Sequence, residues 1–285
     1  MDRLRPLFVE RWHREAEEEG NLLAKYRLGV RYLSGIGVPV NYDKAFELFH
    51  EAAENGHVEA QYQAGMMYAL GRGTAKDEGA AINWLLRAAH QGEPQAQYEL
   101  GKMYSNGSRA IHDSDAAANW MSNAAEQGVP DAQYQLGLMY AAGDGVIKDA
   151  DAAFDWLSRA AANGVGDAQY ELALKHLSGD AEQRDPEQAM TWLRTAANSG
   201  HCEAQRRLGI CYRDGTGVVQ NFVEAYAWLA AASVSNDDAI EDRNVLAETL
   251  TPDQIAEGQN RAGDILAAPH TTSNGAPSQS ASSQV

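Results

Sequence analysis

The stretch Ala132-Gln133-Tyr134-Gln135-Leu136-Gly137-Leu138-Met139-Tyr140, followed by Gly143 and Gly145, then Asp149, then Ala153, Trp156, Leu157, Ala160, Ala161 and Gly164, decides the fold. Its first part places Ala132, Leu136, Gly137 and Tyr140 at i, i+4, i+5 and i+8, the spacing of one helical face. The glycine pair permits a turn through positive φ. Asp149 reads as an N-cap whose carboxylate accepts from the unpaired amides of a new first turn. The second run has the wider apolar stripe of a core-facing helix, closed at Gly164 by the residue type preferred for a left-handed cap. The unit is helix A, turn, helix B.

Working outward, the unit recurs without insertion or deletion. Alanine stands at Ala24, Ala60, Ala96, Ala132, Ala168 and Ala204, each step being 36 residues. In phase with it run Gly29, Gly65, Gly101, Gly137, Ala173 and Gly209, and Tyr32, Tyr68, Tyr104, Tyr140, His176 and Tyr212. The cap column reads Asn41, Asp77, Asp113, Asp149, Asp185 and Asn221, with Pro186 at a first helical position. A single helix pair cannot enclose its own apolar stripe, so neighbours must stack. Trp84, Trp120, Trp156, Trp192 and Trp228 are expected to form the buried seam, each worth roughly 2–3 kcal/mol if fully buried.

The period divides the chain. Residues 1–23 read as an N-terminal half-repeat cap, since Trp12, Ala16 and Gly20 precede Leu48, Ala52 and Gly56 by one period. Six repeats follow at 24–59, 60–95, 96–131, 132–167, 168–203 and 204–239. Residues 240–268 read as C-terminal capping helices, with Thr251-Pro252-Asp253-Gln254 as a capping box. Residues 269–285 are polar and predicted to be a disordered tail.

Lys and Arg total 23 against 40 Asp and Glu, a formal net charge of -17, which repels phosphate backbones and argues against nucleic acid as a partner. The opening Met1-Asp2-Arg3-Leu4-Arg5-Pro6 has no apolar signal-like stretch, and no run is long and apolar enough to span a membrane. Two cysteines, Cys202 and Cys211, suit a reducing compartment. These features predict a cytoplasmic protein. No catalytic motif is legible, and neither a cofactor nor a metal is expected: His201, Cys202 and Cys211 lack a fourth ligand. The chain reads as a non-enzyme.

The pattern A-Q-Y-x-L-G-x-M-Y, G-x-G-V, acidic cap and A-x-x-W-L-x-x-A-A-x-x-G resembles the Sel1-like repeat, over about residues 5–240. The resemblance implies an all-α, right-handed superhelical solenoid related to tetratricopeptide arrays. It also implies an adaptor or scaffold that binds a protein segment, often in bacteria. Two loops, at Ser108-Arg109-Ala110 and Asp180-Ala181-Glu182, depart from the glycine pattern, and His176 interrupts the tyrosine column. Some family members are exported or act on host proteins. Other members, secreted and cysteine-rich, have been assigned β-lactamase activity, but they carry a cysteine pair in every repeat, and this chain does not.

In related arrays helix A lines the concave groove. By that likeness the groove residues are Tyr26, Tyr62, Tyr98, Tyr134, Tyr170 and Arg206, and one turn onward Met66, Lys102, Leu138 and Leu174, in a column with Val30 and Ile210. Tyrosines can stack on a bound peptide at low entropic cost, and they can equally pack between neighbouring A helices. Just ahead lie Leu23, Glu59, Gln95, Asp131, Asp167 and Glu203, mostly acidic, which favour either a basic peptide or simply the helix dipole.

Overall fold

The computed structural model describes residues 21–106, 112–178 and 184–268. The expected half-repeat through Trp12, the two departing loops and the tail from Pro269 lie outside these residues. Among the described residues there are 14 helices and no strand. The A helices are α1 (Leu22–Ser34), α3 (Val58–Leu70), α5 (Pro94–Asn106), α7 (Pro130–Ala142), α9 (Gly166–Ser178) and α11 (Cys202–Asp214). The B helices are α2 (Tyr42–Glu54), α4 (Glu78–His90), α6 (Ser114–Glu126), α8 (Ala150–Ala162), α10 (Pro186–Asn198) and α12 (Phe222–Ala232). Two more follow, α13 (Asp237–Ala247) and α14 (Pro252–Ala267). The chain divides into two compact units, residues 1–132 with 142–148 and residues 133–141 with 149–285.

Every B helix opens as its cap residue dictates. Asn41 Oδ1 accepts from Lys44 N–H at 2.9 Å, Asp77 from Ala80 at 2.9 Å and Asp113 from Ala116 at 3.0 Å. Asp149, Asp185 and Asn221 repeat the bond. The cap's own N–H donates backwards to the carbonyl that ends the A-helix pattern, Asp77 to Tyr68 at 3.0 Å and Asp185 to His176 at 3.0 Å. Because that bond uses backbone, His176 serves as well as a tyrosine. The turn also needs its second glycine: a Cβ on Gly73 would stand 2.1 Å from Tyr42 O, and one on Gly145 1.9 Å from Ser114 O. Pro94 and Pro130 begin their helices at a position where no amide hydrogen is required. The capping box at Thr251 forms as expected.

The core corrects one expectation. The fully buried column is not tryptophan but the residue after it: Phe49, Leu85, Met121, Leu157, Leu193 and Leu229 are each 2% exposed or less. They face the small residues of helix A. A Cβ added at Gly29 would meet Phe49 at 2.7 Å, at Gly65 Leu85 at 2.8 Å, at Gly137 Leu157 at 2.9 Å and at Gly209 Leu229 at 2.8 Å. The tryptophans lie about 100° round the helix from this contact. Trp84 and Trp228 are buried, whereas Trp120, Trp156 and Trp192 are only half-buried. Arginines cover them from outside, Arg87 4.5 Å above Trp84 and Arg159 4.5 Å above Trp156. The interlocked Gly–Leu seam, not the indoles, sets how closely A and B approach.

Candidate functional site

The face of the A helices that carries the tyrosine column is built from a polar ladder beneath it. Gln61, Gln97, Gln133, Gln169 and Gln205 are buried, 4–6% exposed, in the position just before each column residue. Gln61 donates to Ala53 O at 3.2 Å, Gln97 to Ala89 O at 3.1 Å, Gln169 to Ala161 O at 3.0 Å and Gln205 to Ala197 O at 3.0 Å, a second bond to carbonyls near the end of the preceding B helix that also accept from Gly56, Gly92, Gly164 and Gly200 N–H. Three of the side-chain oxygens accept from the end of the next B helix: Gln91 donates to Gln61 at 2.7 Å, Gln127 to Gln97 at 2.6 Å and Asn163 to Gln133 at 2.9 Å. Lys25, at the corresponding place in α1, pairs instead with Glu51. The sequence carried this signal as a Gln directly after the column alanine in five repeats, with an amide 30 residues on in three of them. Our reading of the sequence missed it.

Above the ladder the tyrosines are half-buried. In the first unit Tyr26 stacks on His57, centroids 4.9 Å apart, and Tyr62 and Met66 pack on the cluster of Leu85, Ala96 and Leu100. In the second, Tyr134 and Leu138 pack on Leu157 and Leu172, and Tyr170 stacks on His201 at 5.1 Å. His57 and His201 cap α3 and α11 through Nδ1, accepting from Ala60 N–H at 3.3 Å and Ala204 N–H at 3.1 Å. Each of these tyrosines thus wedges between its own A helix and the start of the next, while one side stays open to solvent. Leu174 is likewise half-buried.

Carboxylates ring the hydroxyls. Burial pushes the Tyr62 hydroxyl up to about 12, helped by Glu99 and Glu93, and the Tyr98 hydroxyl up to about 12, helped by Asp131 and Glu99. Tyr26 is raised by burial, then Glu59 and Glu93, and Tyr134 by burial, then Asp167 and Glu171. Around Tyr170, also raised, Arg207 and Arg206 offset part of the effect of Glu203 and Glu171. The Glu93 carboxyl is raised by burial and by Glu59, against a backbone bond from Gln95. Glu59, Asp131, Asp167 and Glu203 lie in the first turns of their helices, where the dipole favours them.

Two column positions are already engaged. Lys102 Nζ lies 3.0 Å from Glu99 Oε2 and 5.0 Å from the Tyr98 ring centroid. Arg206 pairs with Asp242 at 2.7 Å and Asp238 at 3.3 Å, both on α13. Among the described residues no group of three or more His, Cys, Asp or Glu side chains is placed to hold a metal. His201 Nε2 meets Asp167 at 3.0 Å, and burial pushes the Cys211 thiol up. No helix of the described residues is long and apolar enough to cross a membrane.

Helix pairs repeated in register, with a small-residue seam inside and a half-exposed aromatic column on the A face, define a tandem-repeat protein of the all-α solenoid class. The Sel1 repeat model matches residues 22–57, 58–93, 94–129, 130–165, 166–201 and 202–233, and the chain belongs to the Sel1 repeat family. Its structure is similar to that of c5321, a protective antigen of uropathogenic Escherichia coli with an SLR fold, at 31% identity and a TM-score of 0.84 over 91% of this chain. The chain spans 56% of that antigen's length. It is also similar to a Sel1 repeat protein from Oxalobacter formigenes, at 33% identity and a TM-score of 0.69, covering 76% of this chain and 89% of that one. No curated protein sequence matches the chain.

Proposed function

We propose that this protein is a non-catalytic scaffold that holds a segment of a partner protein against the exposed face of its A helices. Sel1 repeat proteins generally serve protein–protein interaction. The observation that carries the reading is the half-buried tyrosine column. The rings are pre-ordered by packing, so little side-chain entropy is lost on binding, and each still offers an open edge. Tyr26, Tyr62, Met66, Tyr98 and Lys102 would contact the segment on the first unit; Tyr134, Leu138, Tyr170, Leu174 and Arg206 would do so on the second. The test is partner recovery from native lysate with the intact chain and with Tyr62→Ala, Tyr98→Ala and Tyr134→Ala combined. Loss of one or more partners is expected. Unchanged recovery of every partner would sink the reading.

A second reading places the scaffold outside the cytoplasm, and the likeness to a protective antigen favours it. Fractionation of the source cells separates the two: protein confined to the cytosol supports an internal adaptor, and protein in envelope or culture fractions supports an exposed one.

A further inference from the structure

Within the first unit the charges around the A-face tyrosines are mainly carboxylates, of which Glu99 is paired with Lys102. The charged groups acting on the hydroxyls of Tyr26 and Tyr62 are the carboxylates of Glu59, Glu93 and Glu99. On Tyr98 they are Asp131 and Glu99. Lys102 reaches into this group and takes the combination on offer, a carboxylate at 3.0 Å and an aromatic face at 5.0 Å. In the second unit the same face supplies its own cations. Arg206 and Arg207 offset Glu203 and Glu171 around Tyr170, and Arg206 itself occupies the column position, gripped by two aspartates of α13. The fold therefore already holds a guanidinium at this register when carboxylates surround it.

Resting on the scaffold reading above, we infer that the A face of α3 and α5, at Tyr62, Met66 and Tyr98 with Glu59, Glu93 and Glu99 around them, docks a partner-protein segment whose Lys or Arg side chains lie among apolar residues. An ammonium or guanidinium there gains charge pairing and an aromatic face together, and the flexible Met66 side chain adapts to an apolar neighbour. A second copy of the chain is a poor occupant, because each copy carries a net charge of -17.

The test selects a phage-displayed library of random dodecapeptides on the full chain. Enriched peptides are then measured by fluorescence polarisation against three variants. One combines Glu59→Gln, Glu93→Gln and Glu99→Gln; a second combines Asp167→Asn, Glu171→Gln and Glu203→Gln; a third combines Tyr62→Ala and Tyr98→Ala. The expected result is enrichment of peptides bearing two or more Lys or Arg residues, weakened about tenfold or more by the first variant and little by the second. Neutral or acidic winners overturn the inference, as does equal loss with both charge variants, which marks general attraction to an acidic protein. If the tyrosine variant abolishes binding while the first charge variant does not, the face binds protein but the basic specificity fails. If the tyrosine variant leaves binding unchanged, or if no peptide is enriched, the scaffold reading fails with it.

Discussion

The side-chain oxygen of Gln169 is buried and meets no donor among the described residues, because Ser199 stands where the ladder has an amide and gives its hydroxyl to Thr195 O at 3.1 Å instead. At the matching positions Gln91, Gln127 and Asn163 donate to Gln61, Gln97 and Gln133. One rung of the second unit is thus broken. A buried acceptor left without a donor costs about 1–3 kcal/mol.

Ser199→Asn places an amide at a helix end where Asn163 already serves in the neighbouring pair. It is expected to raise stability by about 1 kcal/mol, read as a higher urea midpoint with an unchanged slope. The reverse change, Asn163→Ser, is expected to lower the midpoint. No movement in either variant would mean that the ladder contributes nothing to stability.

The seam predicts an order of damage that a tryptophan core would invert. Leu157→Ala removes a side chain that is 1% exposed and is expected to cost about 3 kcal/mol. Trp156→Ala removes a larger but half-buried ring capped by Arg159, and roughly half that loss is expected. Denaturant titration of the two variants decides it. Equal or greater damage from Trp156→Ala would restore the indoles as the main support.

The same seam predicts intolerance on its other side. Gly137→Val forces a branched side chain against Leu157, where even a Cβ would lie 2.9 Å away, at an expected cost of about 2 kcal/mol. Adding Leu157→Ala is expected to cost less in this background than in the parent, a coupling that a double-mutant cycle measures. Strict additivity would show that the two residues do not share one space.

Much of this was legible in the sequence, and its failures have physical causes. The N-caps from Asn41 to Asn221 are local signals, set by side chains that reach their own backbone. The choice between Trp156 and Leu157 is not local. Both fall inside an apolar stripe more than 100° wide, and only the packing of Gly137 against one of them settles which faces inward. The Gln ladder joins residues 30 positions apart through their amides, a relation that hydropathy patterns do not register. The charge around Tyr62 was half visible as an acidic column at Glu59. Glu93 and Glu99 join it only because neighbouring A helices pack side by side.

Alkaline titration reads the tyrosine column directly. The hydroxyls of Tyr62 and Tyr98 are held up to about 12 against an ordinary 10.0, so the unfolded chain loses these protons first. Their contribution to stability is complete below the unfolded value and falls as pH rises from there through the folded one. Absorbance at about 295 nm is expected to show a late-ionising tyrosine fraction, diminished by Tyr62→Phe and Tyr98→Phe together. A single transition near the ordinary tyrosine value, with the fold intact, would contradict the burial assigned to these rings.

The central claim is that partners meet the A face rather than the B face. Photo-crosslinking in cells of the source organism tests it most directly, with benzoylphenylalanine introduced at Lys102 on the A face of α5 or at Arg159, above Trp156 on α8. Covalent adducts with a discrete partner protein are predicted from position 102, with none from position 159. Adducts from position 159 alone would contradict the account.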